Sequence, residues 1–254
     1  MKEHYFLCGM PRAGNTVISA IMNQDKRICF TANSILCDVL FNLENIKKEN
    51  AAFKNFPDHK SYNNILKNVF NNYYSHWHNE IIIDRGPWGT VPNLKLIKKY
   101  ITKKPKFIVL YRSFWECLNS FLVLERPQNI EKTCDYYINN SSSILIQNFE
   151  SIKNIINNNE EHVFIKYEDF IKSPQKQITN LYKFLNLKPK KIKLNNFKEF
   201  SSNNIKYNDK EVGYNLHKIN TNKIMKTKKI KLIPKSVLMR YGNIDLNTNL
   251  KYSS

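Results

Sequence analysis

The chain has 254 residues, and 42% of them are apolar, which is enough to bury a sizeable core and excludes wholesale disorder. Forty Lys and Arg against 21 Asp and Glu leave a net charge of +19, which favours anionic partners: nucleic acid, acidic membrane, or ligands bearing phosphate or sulfate. Five cysteines (Cys8, Cys29, Cys37, Cys117, Cys134) form no Cys-x-x-Cys pair, so reduced, buried thiols are expected rather than a disulfide framework or a zinc site.

Residues 5–8 form a short apolar run, too short for a signal peptide or a membrane span, and a soluble, cytoplasmic chain is expected. The same run reads as a strand buried on both faces, as do 81–83, 107–111 and 163–165. A helix is expected over 16–23, after a glycine loop. Residues 47–60 are expected to be less ordered. Ser113-Phe114-Trp115-Glu116 has the spacing of a capping box and predicts a helix through about Val123. Ser173-Pro174 opens another helix, whose Ile178, Leu181, Tyr182 and Leu185 fall on one face. From Ser201 onward the chain is lysine-rich without a strong period, and is expected to be a loop-rich basic flap over residues 201–254. Strands alternating with helices predict a single α/β domain over residues 1–254, with its core about 1–190 and a mostly parallel central sheet flanked by helices.

The chemistry concentrates at the strand ends. With only six glycines in the chain, Gly9 and Gly14 bracket the first strand–helix turn: Gly9-Met10-Pro11-Arg12-Ala13-Gly14-Asn15-Thr16. Backbone amides and a helix N-terminus there would cradle an anion. The nucleotide-kinase pattern has Lys where this chain has Asn15, while Arg12 supplies a positive charge three residues earlier. The strand at 81–83 runs into Asp84 and Arg85, on the edge of a parallel sheet where ligands bind. Asp84 is open to three readings: metal-holding acid, general base, or structural partner of Arg85. The strand at 107–111 ends in Arg112, with Ser120 two turns into the following helix, and the strand at 163–165 leads to Tyr167.

Taken together, these segments resemble the sulfotransferases that use 3′-phosphoadenosine 5′-phosphosulfate (PAPS). Residues 9–16 are similar to their 5′-phosphosulfate loop, and Arg112 with Ser120 eight residues on is similar to their 3′-phosphate motif. Tyr167-Glu168-Asp169-Phe170, followed by Ser173-Pro174 and Phe184-Leu185-Asn186-Leu187, is similar to a third segment of the family. The resemblance implies PAPS as sulfuryl donor, no metal, and in-line transfer to a hydroxyl or amine acceptor. It implies that Arg12 neutralises the moving sulfuryl group. Pro11, Ala13, Gly14, Asn15 and Thr16 complete the 5′-phosphate loop, Arg112 and Ser120 hold the 3′-phosphate, and Tyr167 lies near the purine. Arg85 stands where the protein-tyrosine branch carries a Lys, a second candidate for sulfuryl contact.

There are departures from the family pattern. Ala13 and Asn15 replace small hydroxyl residues, no His follows Arg85, and Thr31-Ala32-Asn33 stands where the tyrosine-sulfating branch has a Glu. The base is therefore unassigned, with Asp84 as a candidate, favoured as Arg85's orienting partner. The family's C-terminal Arg-Lys-Gly loop is replaced here by Leu216-His217-Lys218-Ile219, which adds His217 and Lys218 as donor contacts. A small-molecule kinase using ATP and magnesium is the first rival reading. A basic nucleic-acid binder is the second, although no nucleic-acid motif accompanies the charge. Acceptor identity and oligomeric state are not encoded legibly, and the acceptor pocket is expected from residues 29–74 and the C-terminal flap.

Overall fold

A computed structural model describes residues 2–31, 34–195, 198, 201–202, 205–213, 217, 219, 224 and 231–246. Five parallel strands form the central sheet: β1 (Glu3–Gly9), β2 (Ile28–Phe30), β3 (Ile81–Arg85), β4 (Phe107–Tyr111) and β5 (His162–Lys166), in the order β2-β3-β1-β4-β5. β2 to β5 are short and rich in β-branched or aromatic residues, and the three central strands, β3, β1 and β4, are buried almost throughout. That is the pattern of strands covered on both faces.

Parallel neighbours need crossovers, and helices supply them. α1 (Asn15–Met22) joins β1 to β2, and α2 (Leu36–Glu49), α3 (Ala51–Asn55) and α4 (His59–Tyr73) join β2 to β3. α5 (Val91–Leu96), extended by a π turn at Ile97–Ile101, precedes β4. α6 (Phe114–Glu125), α7 (Ile130–Asn139) and α8 (Ile144–Asn157) precede β5, and α9 (Tyr167–Lys172) and α10 (Pro174–Phe184) follow it. On one face Phe6 packs against Phe70, Trp88 and Phe107 at ring separations of 5.8, 5.4 and 5.7 Å. On the other, Tyr5 meets Phe184 of α10 at 5.8 Å, and the predicted apolar face of that helix is buried. The connections from β1 and β4 leave in opposite directions, so the crevice between these two strands is the switch point at which open α/β sheets take ligands.

The four expected strands and the helices at residues 16–23 and after Ser173 are present, and β2 is an additional, three-residue strand. Residues 47–60, expected to be less ordered, are instead mostly helical, spanning the end of α2, all of α3 and the start of α4. Asn50 accepts from the Phe53 amide and Asp58 from the Ser61 amide, so two polar residues of the run act as helix caps. Lys47 is held by Glu44, Asn63 and Tyr100 at 2.6–2.7 Å, which ties α2 to α4 and the π turn. Beyond α10 the described residues form a two-residue ladder, β6 (Ser201–Ser202) with β7 (Ile205–Lys206), a 3₁₀ turn at Asp209–Val212, and α11 (Lys235–Tyr241). No helix of the described residues is long and apolar enough to cross a membrane. All five cysteines are buried free thiols.

Candidate active site

The β1–α1 loop is shaped by two left-handed residues, Arg12 (φ 64°) and Gly14 (φ 88°). Gly14 is the N-cap of α1 and no side chain caps that end, so the first amides of the helix are left for another acceptor. Asn15, at the position of the kinase pattern's Lys, is bonded within the loop. Its side chain is 4% exposed and folds inward, Nδ2 donating to the Met10 carbonyl at 2.8 Å. It lies so close beneath Gly9 that a Cβ there would stand 1.9 Å from Oδ1, so Gly9 is required by this close approach. Pro11 and Ala13 are buried in the same loop, and Thr16 is half-buried in the first turn of α1.

Arg12, Arg112, Ser120 and Tyr167 come together at the switch point. Arg12 Nε donates to Ser120 Oγ at 3.2 Å. Arg112, 8% exposed, donates from Nη1 to the Arg12 carbonyl at 2.9 Å and from Nε to Glu116 at 3.2 Å. Its guanidinium lies 4.4 Å over the Tyr167 ring, and the same ring is the nearest neighbour of a Cβ built on Gly14. Burial first, and repulsion from Arg112 second, lower the Arg12 pKa from its ordinary value. Two adjacent guanidiniums and an uncapped helix N-terminus form a site suited to a multiply charged anion.

Asp84 and Arg85, successive on β3, point to opposite faces of the sheet. The expected orienting pair is not formed by Asp84: its carboxylate, 1% exposed, accepts from the Tyr74 hydroxyl and from Trp88 Nε1 at 2.8 Å. Burial raises its pKa to about 6, against the pull of hydrogen bonds from Tyr74, Ser34 and Trp88. Arg85 is half-buried, its amide bonded to Thr31 Oγ1 at 3.2 Å, and burial lowers its pKa while Tyr207 opposes that shift.

Tyr207 stacks on His217 with ring centroids 4.1 Å apart. His217 Nδ1 lies 2.6 Å from Asp209 Oδ1, and its amide donates to Oδ2 of the same carboxylate at 2.9 Å. Burial pushes the Asp209 pKa up, but the bonds from His217 hold it below its ordinary value. Lys218 lies outside the described residues. Among the described residues no three His, Cys, Asp or Glu side chains cluster as metal ligands.

A model of the sulfotransferase family matches residues 5–190, a span that contains the loop, Arg85, Arg112, Ser120 and Tyr167. The chain belongs to the sulfotransferase family. Two solved structures share its fold. The sulfotransferase domain from the curacin biosynthetic pathway is 14% identical, with 75% of this chain and 76% of that one covered at a TM-score of 0.50. The sulfotransferase domain from the Synechococcus PCC 7002 olefin synthase is 16% identical, with 75% and 74% covered at a TM-score of 0.51. No curated protein matches.

The structure also supplies site neighbours that sequence reasoning missed. Glu116 was read as half of a capping box, yet it holds Arg112, and Ser113 makes no cap of its own. The i,i+4 spacing of Arg112 and Glu116 on an opening helix was the available signal. Nothing local signalled the other cases: Tyr74 and Trp88 on Asp84, Asp209 on His217, and the cap that replaces Ser113.

Proposed function

We propose that this sulfotransferase moves a sulfuryl group from PAPS to a hydroxyl or amine acceptor. The observation that carries this reading is the linkage of Arg12, Arg112, Ser120 and Tyr167 into one contact set beside the N-terminus of α1. PAPS, when bound, supplies the activated sulfuryl group and the bisphosphate leaving group. Gly14, Asn15 and Thr16 offer backbone amides, and Thr16 a hydroxyl, to the 5′-phosphate side. Arg112 and Ser120 hold the 3′-phosphate, and Tyr167 lies against the purine.

Arg12 neutralises charge that builds on the sulfuryl and leaving oxygens, and Arg85 is the second cation at that edge. Such transfers need in-line positioning and positive charge more than covalent help from the protein. Asp84 is enclosed by Tyr74 and Trp88 and holds the strand end in place. The acceptor's proton goes to His217, whose Nδ1 faces Asp209 and which stacks on the tyrosine neighbouring Arg85.

The same geometry weighs against the kinase reading. Asn15 is turned into the loop instead of toward a phosphate, and Asp84 is sealed from any magnesium ion. The test is a thermal-shift comparison of PAP, AMP and ATP with magnesium. At a hundredfold excess over Kd, PAP should add about 2.7 kcal/mol of stability. A shift with ATP and magnesium but none with PAP would replace this reading by the kinase. A transfer screen with PAPS over phenols, sugars, lipids and peptides then identifies the acceptor class.

A further inference from the structure

The described end of the chain, residues 231–246, lies along α6 and α7, and its two contacts with α6 fall beside the two residues assigned to the 3′-phosphate. At one end of this run, the Leu232 amide donates to Asn119 Oδ1 at 2.7 Å, next to Ser120. At the other, Asp245 closes on the turn that carries Arg112. Its Oδ1 accepts from the Phe114 amide at 2.5 Å and from the Tyr111 hydroxyl at 3.1 Å, and its Oδ2 accepts from the Ser113 hydroxyl at 2.6 Å. Tyr111 in turn accepts from the Leu246 amide at 3.1 Å.

Between these contacts α11 is docked on α7. Val237 is fully buried, and Arg240 holds both oxygens of Asp135 at 2.9 Å. Tyr241 donates to Asp135 at 2.7 Å and accepts from Asn139 at 2.7 Å.

The cap of α6 is therefore supplied from more than 130 residues away in sequence, by a carboxylate bonded on both sides of Arg112. The carboxylate at this helix end satisfies the first amide, that of Phe114, and is favoured by the helix dipole. It also occupies that end, so an incoming phosphate is left to the side chains of Arg112 and Ser120. We propose that residues 231–246 form a strap that sets the geometry of the Arg112–Ser120 anion site, with Asp245 as its positioning residue. This inference rests on the PAPS reading, because it assigns the strap to recognition of the 3′-phosphate.

The experiment measures Kd for PAP and for AMP by calorimetry on the full chain, with melting temperature as a fold control. The variants are Asp245→Asn, Asp245→Glu and Arg240→Ala. Asp245→Asn turns an N–H toward a cluster of three donors and should weaken PAP by about 3- to 30-fold, the cost of a lost helix cap carried into binding because the cap sets the position of Arg112 and Ser120. AMP binding should change less than about twofold, since AMP lacks the group that Arg112 and Ser120 read. Asp245→Glu should recover part of the loss. Arg240→Ala, on an exposed ion pair that a folded chain tolerates, should move the ratio of the two affinities in the same direction by a smaller factor.

Equal losses for PAP and AMP, or a fall in melting temperature with the ratio of affinities unchanged, would reduce the strap to a structural brace and overturn the proposal. A wild-type chain that binds PAP no better than AMP would overturn the PAPS reading itself, a different outcome from failure of the strap alone.

Discussion

Replacing Asp84 with Asn tests whether this carboxylate belongs to the framework or answers to a cation. Burial raises its pKa from 3.8 to about 6, with Tyr74, Ser34 and Trp88 opposing. The difference, 6 − 3.8, is about 2.2 pH units, or about 3 kcal/mol at roughly 1.36 kcal/mol per unit. The folded state holds this proton more tightly than the unfolded state does. The cost of burying the charge is thus absent below pH 3.8 and complete above about pH 6.

Wild type should lose up to about 3 kcal/mol relative to Asp84→Asn as pH rises through that window. Urea unfolding of both proteins from about pH 4 to about pH 7.5, taken as a difference, cancels the other titrating groups. Near neutrality the two should lie close together. Asn escapes the charge penalty but turns an N–H against Tyr74 or Trp88, a loss of about 1–3 kcal/mol. A flat difference would refute the raised pKa. A difference growing in favour of wild type would mean a depressed pKa, with the hydrogen bonds from Tyr74, Ser34 and Trp88 outweighing burial.

Gly9→Ala should cost about 1–3 kcal/mol through overpacking against Asn15, and adding Asn15→Ala should recover much of it; additive losses in a double-mutant cycle would refute the contact. Arg12→Ala should lower kcat by roughly 10²–10³ in a PAPS transfer assay, the scale for one well-placed electrostatic donor; full turnover with only a raised KM would move Arg12 into ordinary binding. His217→Gln should lower turnover by roughly 10²–10⁴ and remove the acidic limb of the pH–rate profile while PAP still binds; an unchanged profile would refute its role as base.

The sheet was legible because its strands are short apolar runs between polar breaks, alternating with helical patterns. The loop at residues 9–16 and the tips at Arg85, Arg112 and Tyr167 followed from it, since a parallel sheet delivers the C-terminal ends of its strands to one edge. β2 was missed because three residues carry no period. Residues 47–60 are helical for the most part, with Asn50 and Asp58 as caps, and a cap becomes visible only once the amide it accepts from is placed. The partners of functional side chains were the least legible. Asp84 is followed directly by Arg85, and adjacency in sequence suggested a pair that the alternation of a strand forbids. Ser113 and Glu116 have the capping-box spacing, but Arg112 takes the Glu and Asp245 takes the cap, contacts that compete with the local motif and win.

Arg112 shows how the two proposed anion motifs are joined into one contact set. Its Nη1 donates to the carbonyl of Arg12, the residue held at φ 64°, a conformation that a non-glycine residue adopts only when its surroundings impose it. Its Nε is taken by Glu116, and its face lies on Tyr167, which leaves the remaining Nη hydrogens for a ligand. A lysine at this position would carry the same charge but lacks the rigid fork that makes these contacts at once. The guanidinium proposed for one end of the donor therefore also braces the backbone that carries Arg12, proposed for the other.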